Sequence, residues 1–309
     1  MGEMRTRILA RMTNYEVEEY LKRNDIIFIP VGPTEMHGCF PLEVEYVGPL
    51  AMALAMAEKV DGLVLDGLKY FYNGSCATGR GTVRMSVHDG YQYLKAITYS
   101  LLSQGFKRQI YVTGHGTSEL TLGALVGDFL DETKVPIAWI DQMTTTQFAK
   151  ARLGKEVCAQ YNNFSDIVYG AYELLGRSNE LIIDPTRPST AKRFEDEGMF
   201  VPGKTEFKGL PESLQNISHI INFGSFAYSI GFYMGDIEDH GGKDGTFQCE
   251  EERDAACKRG LEQLLKVVDA VDMPLFVKQM RDQANYTNTV IKEKHGDHLP
   301  WNRAFPWAE

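Results

Sequence analysis

A short apolar run, Ile26–Val31 (IIFIPV), sits between Asp25 and a Gly32-Pro33 pair. It is too short for a helix and rich in branched residues, which predicts a buried strand. Before it, residues 14–23 (NYEVEEYLKR) predict a short helix capped by Asn14, with acid in its first turn. After it, patterns of two periods alternate. Gly48–Val60 (GPLAMALAMAEKV) predicts a helix and Gly62–Leu68 (GLVLDGL) a second strand. A loop rich in Gly, Tyr and Asn (Lys69–Thr82) leads to a helix over about His88–Gln104. Gln109–Thr113 (QIYVT) is a third strand, Leu120–Asp131 a helix and Val135–Ile140 (VPIAWI) a fourth strand. Strands alternating with helices predict an α/β fold with a mainly parallel sheet covered on both faces. Ligands of such sheets sit where strands end and the next loops begin.

Beyond residue 141 the periodicity weakens. A helix is predicted over Ser165–Leu175 and a charged one from Cys249 to about Val271, with a tail ending in HLPWNRAFPWAE. The Pro-, Gly- and charge-rich stretch at about 184–222 reads as an insertion or surface excursion. With 309 residues, the chain fits one elaborated α/β domain spanning its whole length.

Composition narrows the partners. A net charge of −10 with no basic cluster repels phosphate backbones and anionic lipid, so neither nucleic acid nor membrane is an expected partner. The five cysteines are scattered, with no CxxC pair, which argues against a disulfide framework and a thiolate metal site. No signal-like segment and no long apolar span occurs, so a cytoplasmic location is the expectation.

Chemistry concentrates in two strand-end loops. Glu35 and His37 alternate around Met36 just after the first strand, and in extended chain residues i and i+2 face one way. Glu43 and Glu45 repeat that spacing eight residues later. His115 lies between two glycines in TGHGTS, at the tip of the third strand. Glu35, His37, Glu45 and His115 together form the oxygen and nitrogen donor set suited to zinc, manganese or iron. One or two such ions acidify water and polarise a carbonyl, which points to hydrolysis by a metal-bound hydroxide. Either short motif alone is a common chance occurrence; their joint placement at two strand ends carries the reading.

The run GPTEMHG (Gly32–Gly38) followed by PLEVE (Pro41–Glu45) resembles the first signature of the creatininase family. GFKRQIYVTGHG (Gly105–Gly116) is similar to its second signature, and GRGTVRMS (Gly79–Ser86) to the loop between them. The resemblance covers about residues 25–145. It implies a three-layer αβα fold, a one- or two-metal centre, a small, polar, cyclic substrate cleaved at a C–N bond, and homo-oligomers, often hexamers. By position, Glu35 and His115 would hold one metal and His37 the other, with Glu45 bridging in place of the family's Asp. GDIEDHGGKDGT (Gly235–Thr246) resembles the segment carrying the catalytic histidine. That makes His240 the proton donor, with Asp236 and Glu238 near the substrate; a competing register leaves His240 as ordinary loop.

Three departures bear on chemistry. Thr113 stands where Asn is usual, the loop before Glu45 is one residue shorter, and Thr117 falls where creatininases proper carry a further Glu ligand. The second metal would then lack its last ligand or draw it from Glu119, Asp141 or Asp166. Tyr72, Arg80 and Thr117 are further candidates for substrate contact. His88 reads as a cap or packing residue, His219 as structural, and His295 and His298 as solvated. Two other readings compete with the amidohydrolase: C–C hydrolysis of an inositol-derived carbocyclic diketone, and an inert binding protein on the same scaffold.

Overall fold

The computed structural model describes residues 4–37, 39–73, 81–153, 164–184 and 246–298. Helix α1 (Asn14–Leu21) leads into β1 (Ile26–Val31), then α2 (Val44–Lys59), β2 (Leu63–Val64), α3 (Val87–Ser103) and β3 (Arg108–Thr113). Helix α4 (Glu119–Thr133), β4 (Ala138–Asp141) and α5 (Gln142–Leu153) follow. After α6 (Phe164–Leu174), β5 (Ile182–Ile183) pairs in parallel with β6 (Thr246–Phe247). Helices α7 (Glu250–Asp269) and α8 (Met273–Tyr286) follow, α8 running on through a π-helical turn (Thr287–Ile291) into a final helical turn, Lys292–His295. Strands β2, β1, β3 and β4 form a parallel sheet in that spatial order. Its central register pairs Ile26 with Arg108 and Val31 with Thr113.

Strand alternation splits the core into two layers, one per face of the sheet. Ile26, Phe28, Ile110 and Val112 pack with α2, α6, α7 and α8. Ile27, Ile29, Val31 and Tyr111 pack with α1, α3 and α4. The fold is therefore the three-layer αβα arrangement expected. On the first face α6 and α7 approach backbone to backbone. A Cβ on Gly170 would lie 2.2 Å from the Gly260 carbonyl oxygen, so neither position accepts a side chain without separating the helices.

Several boundaries differ from the sequence reading, for local reasons. Thr13, not Asn14, caps α1: its side chain accepts from the Glu16 amide while Glu16 reaches back to the Thr13 amide, a closed capping box. Helix α2 begins four residues before Gly48, so Glu45 lies in its first turn and not on extended chain. Ser86 caps α3 by accepting from the Asp89 amide, and His88 is an exposed residue of the first turn. The stretch at 185–222, His219, Arg80, Asp236, Glu238 and His240 lie outside the described residues.

Candidate metal centre

Two close approaches bring the ligand loops together. The first is at Gly32, where β1 ends: a Cβ there would sit 2.3 Å from the Glu45 carbonyl oxygen, so glycine lets the first turn of α2 rest on the strand end. The second is between the Glu35 amide and the Leu42 carbonyl, 2.8 Å apart, which folds the loop back on itself. The segment 67–73 runs alongside. Gly32 donates to the Leu68 carbonyl and the Thr34 hydroxyl to that of Lys69. On the other side, the Thr82 hydroxyl accepts from the Met36 amide at 3.0 Å, and Val83 donates to the Thr34 carbonyl.

The result is a buried polar cluster. Glu35, His37, Glu45 and His115 are 1%, 4%, 6% and 5% exposed. Glu35, His37 and Glu45 each offer a ligand atom, all within 4.8 Å of one another. His115 joins them through Nδ1, 2.6 Å from Glu45 Oε2 and 4.0 Å from Glu35 Oε1. His37 Nε2 is 3.5 Å from Glu45 Oε1. The two oxygens of Glu45 thus face one imidazole each, the disposition a bridging carboxylate needs. The other nitrogen of His115, Nε2, lies 2.5 Å from the Thr117 hydroxyl. The imidazole also hydrogen-bonds the Tyr72 main chain.

Electrostatics follow from this packing. Burial resists charge on Glu45, but the His115 and His37 imidazoles outweigh it and hold its carboxyl well below the usual range. Burial pulls His115 down, yet the Glu45 and Glu35 carboxylates raise it to about 9. His37 moves up for the same reason, Glu45 contributing most against its burial. Two acidic and two imidazole groups enclosed in this way fit a divalent cation by donor chemistry and by spacing.

The structure brings together the four residues that the sequence pattern singles out as ligand candidates. Thr117 is beside His115, as its position implied, and Tyr72 is buried with its main chain on the same ring. Glu119 opens α4 as an exposed residue. Glu43 turns away from Glu45: Lys69 and Arg177 hold its two oxygens. Sequence reasoning missed the supports at Gly32, Thr34 and Thr82, although the GT step of Gly81-Thr82 was a visible signal.

A family model described as creatinine amidohydrolase matches residues 10–165. A 3-dehydro-scyllo-inosose hydrolase of Thermotoga maritima is 32% identical over 127 residues, which is 40% of this chain and 40% of that protein. Among solved structures, a tryptophan-to-phenylalanine mutant of creatininase superimposes with a TM-score of 0.53 at 15% identity, over 90% of this chain and 99% of that one. A putative creatinine amidohydrolase from Bacteroides fragilis gives 0.52 at 14% identity, over 91% and 98%. A manganese form of creatininase gives 0.50 at 14%, over 84% and 96%. At these identities the structural likeness is one of fold.

Proposed function

The chain belongs to the creatininase family and is a hydrolase of that family, and from this premise we propose that it cleaves a bond beside a carbonyl in a small, polar, cyclic substrate with one or two divalent ions held by Glu35, His37, Glu45 and His115. The observation that carries the reading is Glu45, whose carboxylate oxygens lie 3.5 Å from one imidazole and 2.6 Å from the other inside a buried pocket of acid groups. Zinc, manganese or iron held there supplies an acidified water and a polarised carbonyl.

The residues do the rest. Glu35 and His115 would hold one ion and His37 the other, with Glu45 shared between them. Thr117 fixes the ring of His115 so that Nδ1 is the nitrogen that faces the carboxylates. Proton delivery to the leaving group falls to His240, with Glu119 a further candidate. Tyr72, Arg80, Thr117, Asp236 and Glu238 are the residues assigned to the substrate. The ring opens with addition of one water, yielding a carboxylic acid and either an amine or a new C–H bond.

Of those two outcomes we favour the C–C reading, on a polyhydroxylated cyclic diketone. Thr117 replaces the further acidic ligand expected of creatininases proper. The Thermotoga relative, at 32% identity over its matched part, is named for such an oxidised inositol. Cyclic amide hydrolysis is the alternative. The chain is further proposed to be a cytoplasmic homo-oligomer, a hexamer or another multiple of a dimer; mass measurement in solution tests that assembly.

Turnover of the metal-loaded protein is measured against a keto- and diketo-inositol series and a panel of lactams and formamides. Acid release from the diketone, lost on chelation and regained with metal, is the expected result. Turnover confined to lactams moves the assignment to the C–N bond. A metallated protein inactive on both panels leaves the inert scaffold as the better account.

A further inference from the structure

Most buried carboxamides in a fold are satisfied, because each unpaired polar atom costs about 1–3 kcal/mol. Gln109 is half-way there: fully buried, its nitrogen donates to the Thr98 and Phe106 carbonyls at 2.9 and 3.1 Å, and only its oxygen is left without a partner. Among the described residues two carboxamides lack even that. Asn73 and Gln142 are each 1% exposed, and neither the oxygen nor the nitrogen of either has a hydrogen-bond partner.

Their surroundings separate them. Gln142 is wedged between backbones. Its Oε1 lies 2.5 Å from where a Cβ of Gly48 would be and 3.0 Å from that of Gly114, so two glycines make room for the amide and little is left for a ligand. Asn73 sits at the end of the segment that borders the metal centre. That segment bridges to Val31 at Leu68, accepts from Thr34 at Lys69 and reaches the His115 ring through the Tyr72 main chain. Tyr72 is in turn bridged to Met85, on the loop whose Thr82 holds Met36 between Glu35 and His37. The residue after Tyr72 is therefore placed beside the cluster and brings an unsatisfied donor and acceptor with it.

Resting on the hydrolase reading above, we propose that Asn73 is a substrate-binding, specificity-determining residue. Its carboxamide pairs with an uncharged donor–acceptor edge of the substrate. Two substrate chemistries present such an edge: adjacent hydroxyls on a ring, and the cis-amide of a lactam. A neutral carboxamide selects either over a carboxylate, which offers acceptors only.

The test compares wild type with Asn73→Leu and Asn73→Asp, all metal-loaded. The probes are myo-inositol for the diol edge and 2-pyrrolidinone for the amide edge, with binding read by calorimetry and Tm and metal content measured alongside. Asn73→Leu is expected to bind the preferred probe about tenfold or more weakly. Its metal content should stay at the wild-type level and its Tm be unchanged or higher, because a buried unpaired amide has been replaced by an apolar group of similar size. Asn73→Asp should also lose the probe, since the donor is gone. The probe whose affinity falls identifies the edge. Undiminished binding by Asn73→Leu overturns the proposal. So does a lowered Tm or lost metal in that variant, which would make Asn73 a structural support. A metallated wild type that binds neither probe also overturns it, and leaves the hydrolase reading to the activity panel.

Discussion

Glu43 and Glu45 are two residues apart, yet they belong to different kinds of structure. Glu43 is half-buried between two permanent cations, Lys69 and Arg177, and Arg177 is also held by Glu180. Glu45 is almost wholly buried and faces two imidazoles, with Glu35 close by. The first cluster is complete as it stands: charge meets charge and the surrounding water screens the rest. The second sets two buried acids against two imidazoles, whose charge depends on a bound proton. A permanent cation marks a strut, whereas a set of imidazoles leaves a place that a metal ion completes.

That contrast breaks most sharply at the ligand. Glu45→Gln should lower metal affinity by about 100-fold, the upper end of what changes near a metal centre produce, while the chain still folds. Elemental analysis after dialysis reads it, and full metal retention would remove Glu45 from the site. Next comes Gly32→Ala. The methyl would collide with the Glu45 carbonyl at 2.3 Å, and overpacking of this kind costs about 1–3 kcal/mol. It should also lower metal content, because the first turn of α2 must shift; denaturant unfolding beside metal analysis shows whether the two losses come together. Thr117→Val frees the ring of His115 from its 2.5 Å contact and should weaken metal binding about tenfold, as loss of an orienting hydrogen bond does.

The strut should behave in the opposite way. Glu43→Gln should cost about 1–2 kcal/mol, a charged hydrogen-bond loss discounted for partial exposure, with metal content unchanged. Its pH dependence has a definite sign. Burial raises the Glu43 carboxyl, but Lys69 and Arg177 prevail and lower it below 4.5. Its stabilisation is thus present above pH 4.5 and lost as pH falls through the lowered folded value. Unfolding followed from pH 6 downward should show that loss in wild type and a smaller one in Glu43→Gln. The smallest effect is expected at the other end of the chain. Glu16, half-buried in the α1 capping box, is lowered to about 2, chiefly by its hydrogen bond from Arg5. Its contribution is complete above pH 4.5 and gone below about 2, and carboxyl NMR titration reads that midpoint directly.

Much of this was legible in the chain. β1 is bounded by the residues that its apolar run implied, because a fully buried strand has no polar alternation to blur its ends. The buried cluster was legible because an i, i+2 pair and a glycine-flanked histidine each follow a strand. Glu45 was placed in the right cluster through the wrong geometry: its spacing from Glu43 resembles extended chain, but α2 has already begun there. Helix α5 (QMTTTQFAKARL) escaped notice because threonines dominate its first turns and no apolar stripe runs along it. Helix α8 had a readable start, Asp272 accepting from the Leu275 amide with Pro274 in the first turn, but its buried face is a narrow stripe, Met273, Val277 and Met280, among exposed polar and charged residues. The tertiary supports of the site were not legible, since Thr34, Thr82 and Gly32 act through partners ten to fifty residues away.

The central claim is that one cluster of four side chains holds the metal. Crystals of the protein loaded with manganese or zinc, measured at the absorption edge of that metal, address it directly. The account predicts anomalous density bounded by the carboxylates of Glu35 and Glu45 and the imidazoles of His37 and His115, one peak or two, with Glu45 touching each. Density at other residues, or none in a folded, saturated crystal, would contradict it.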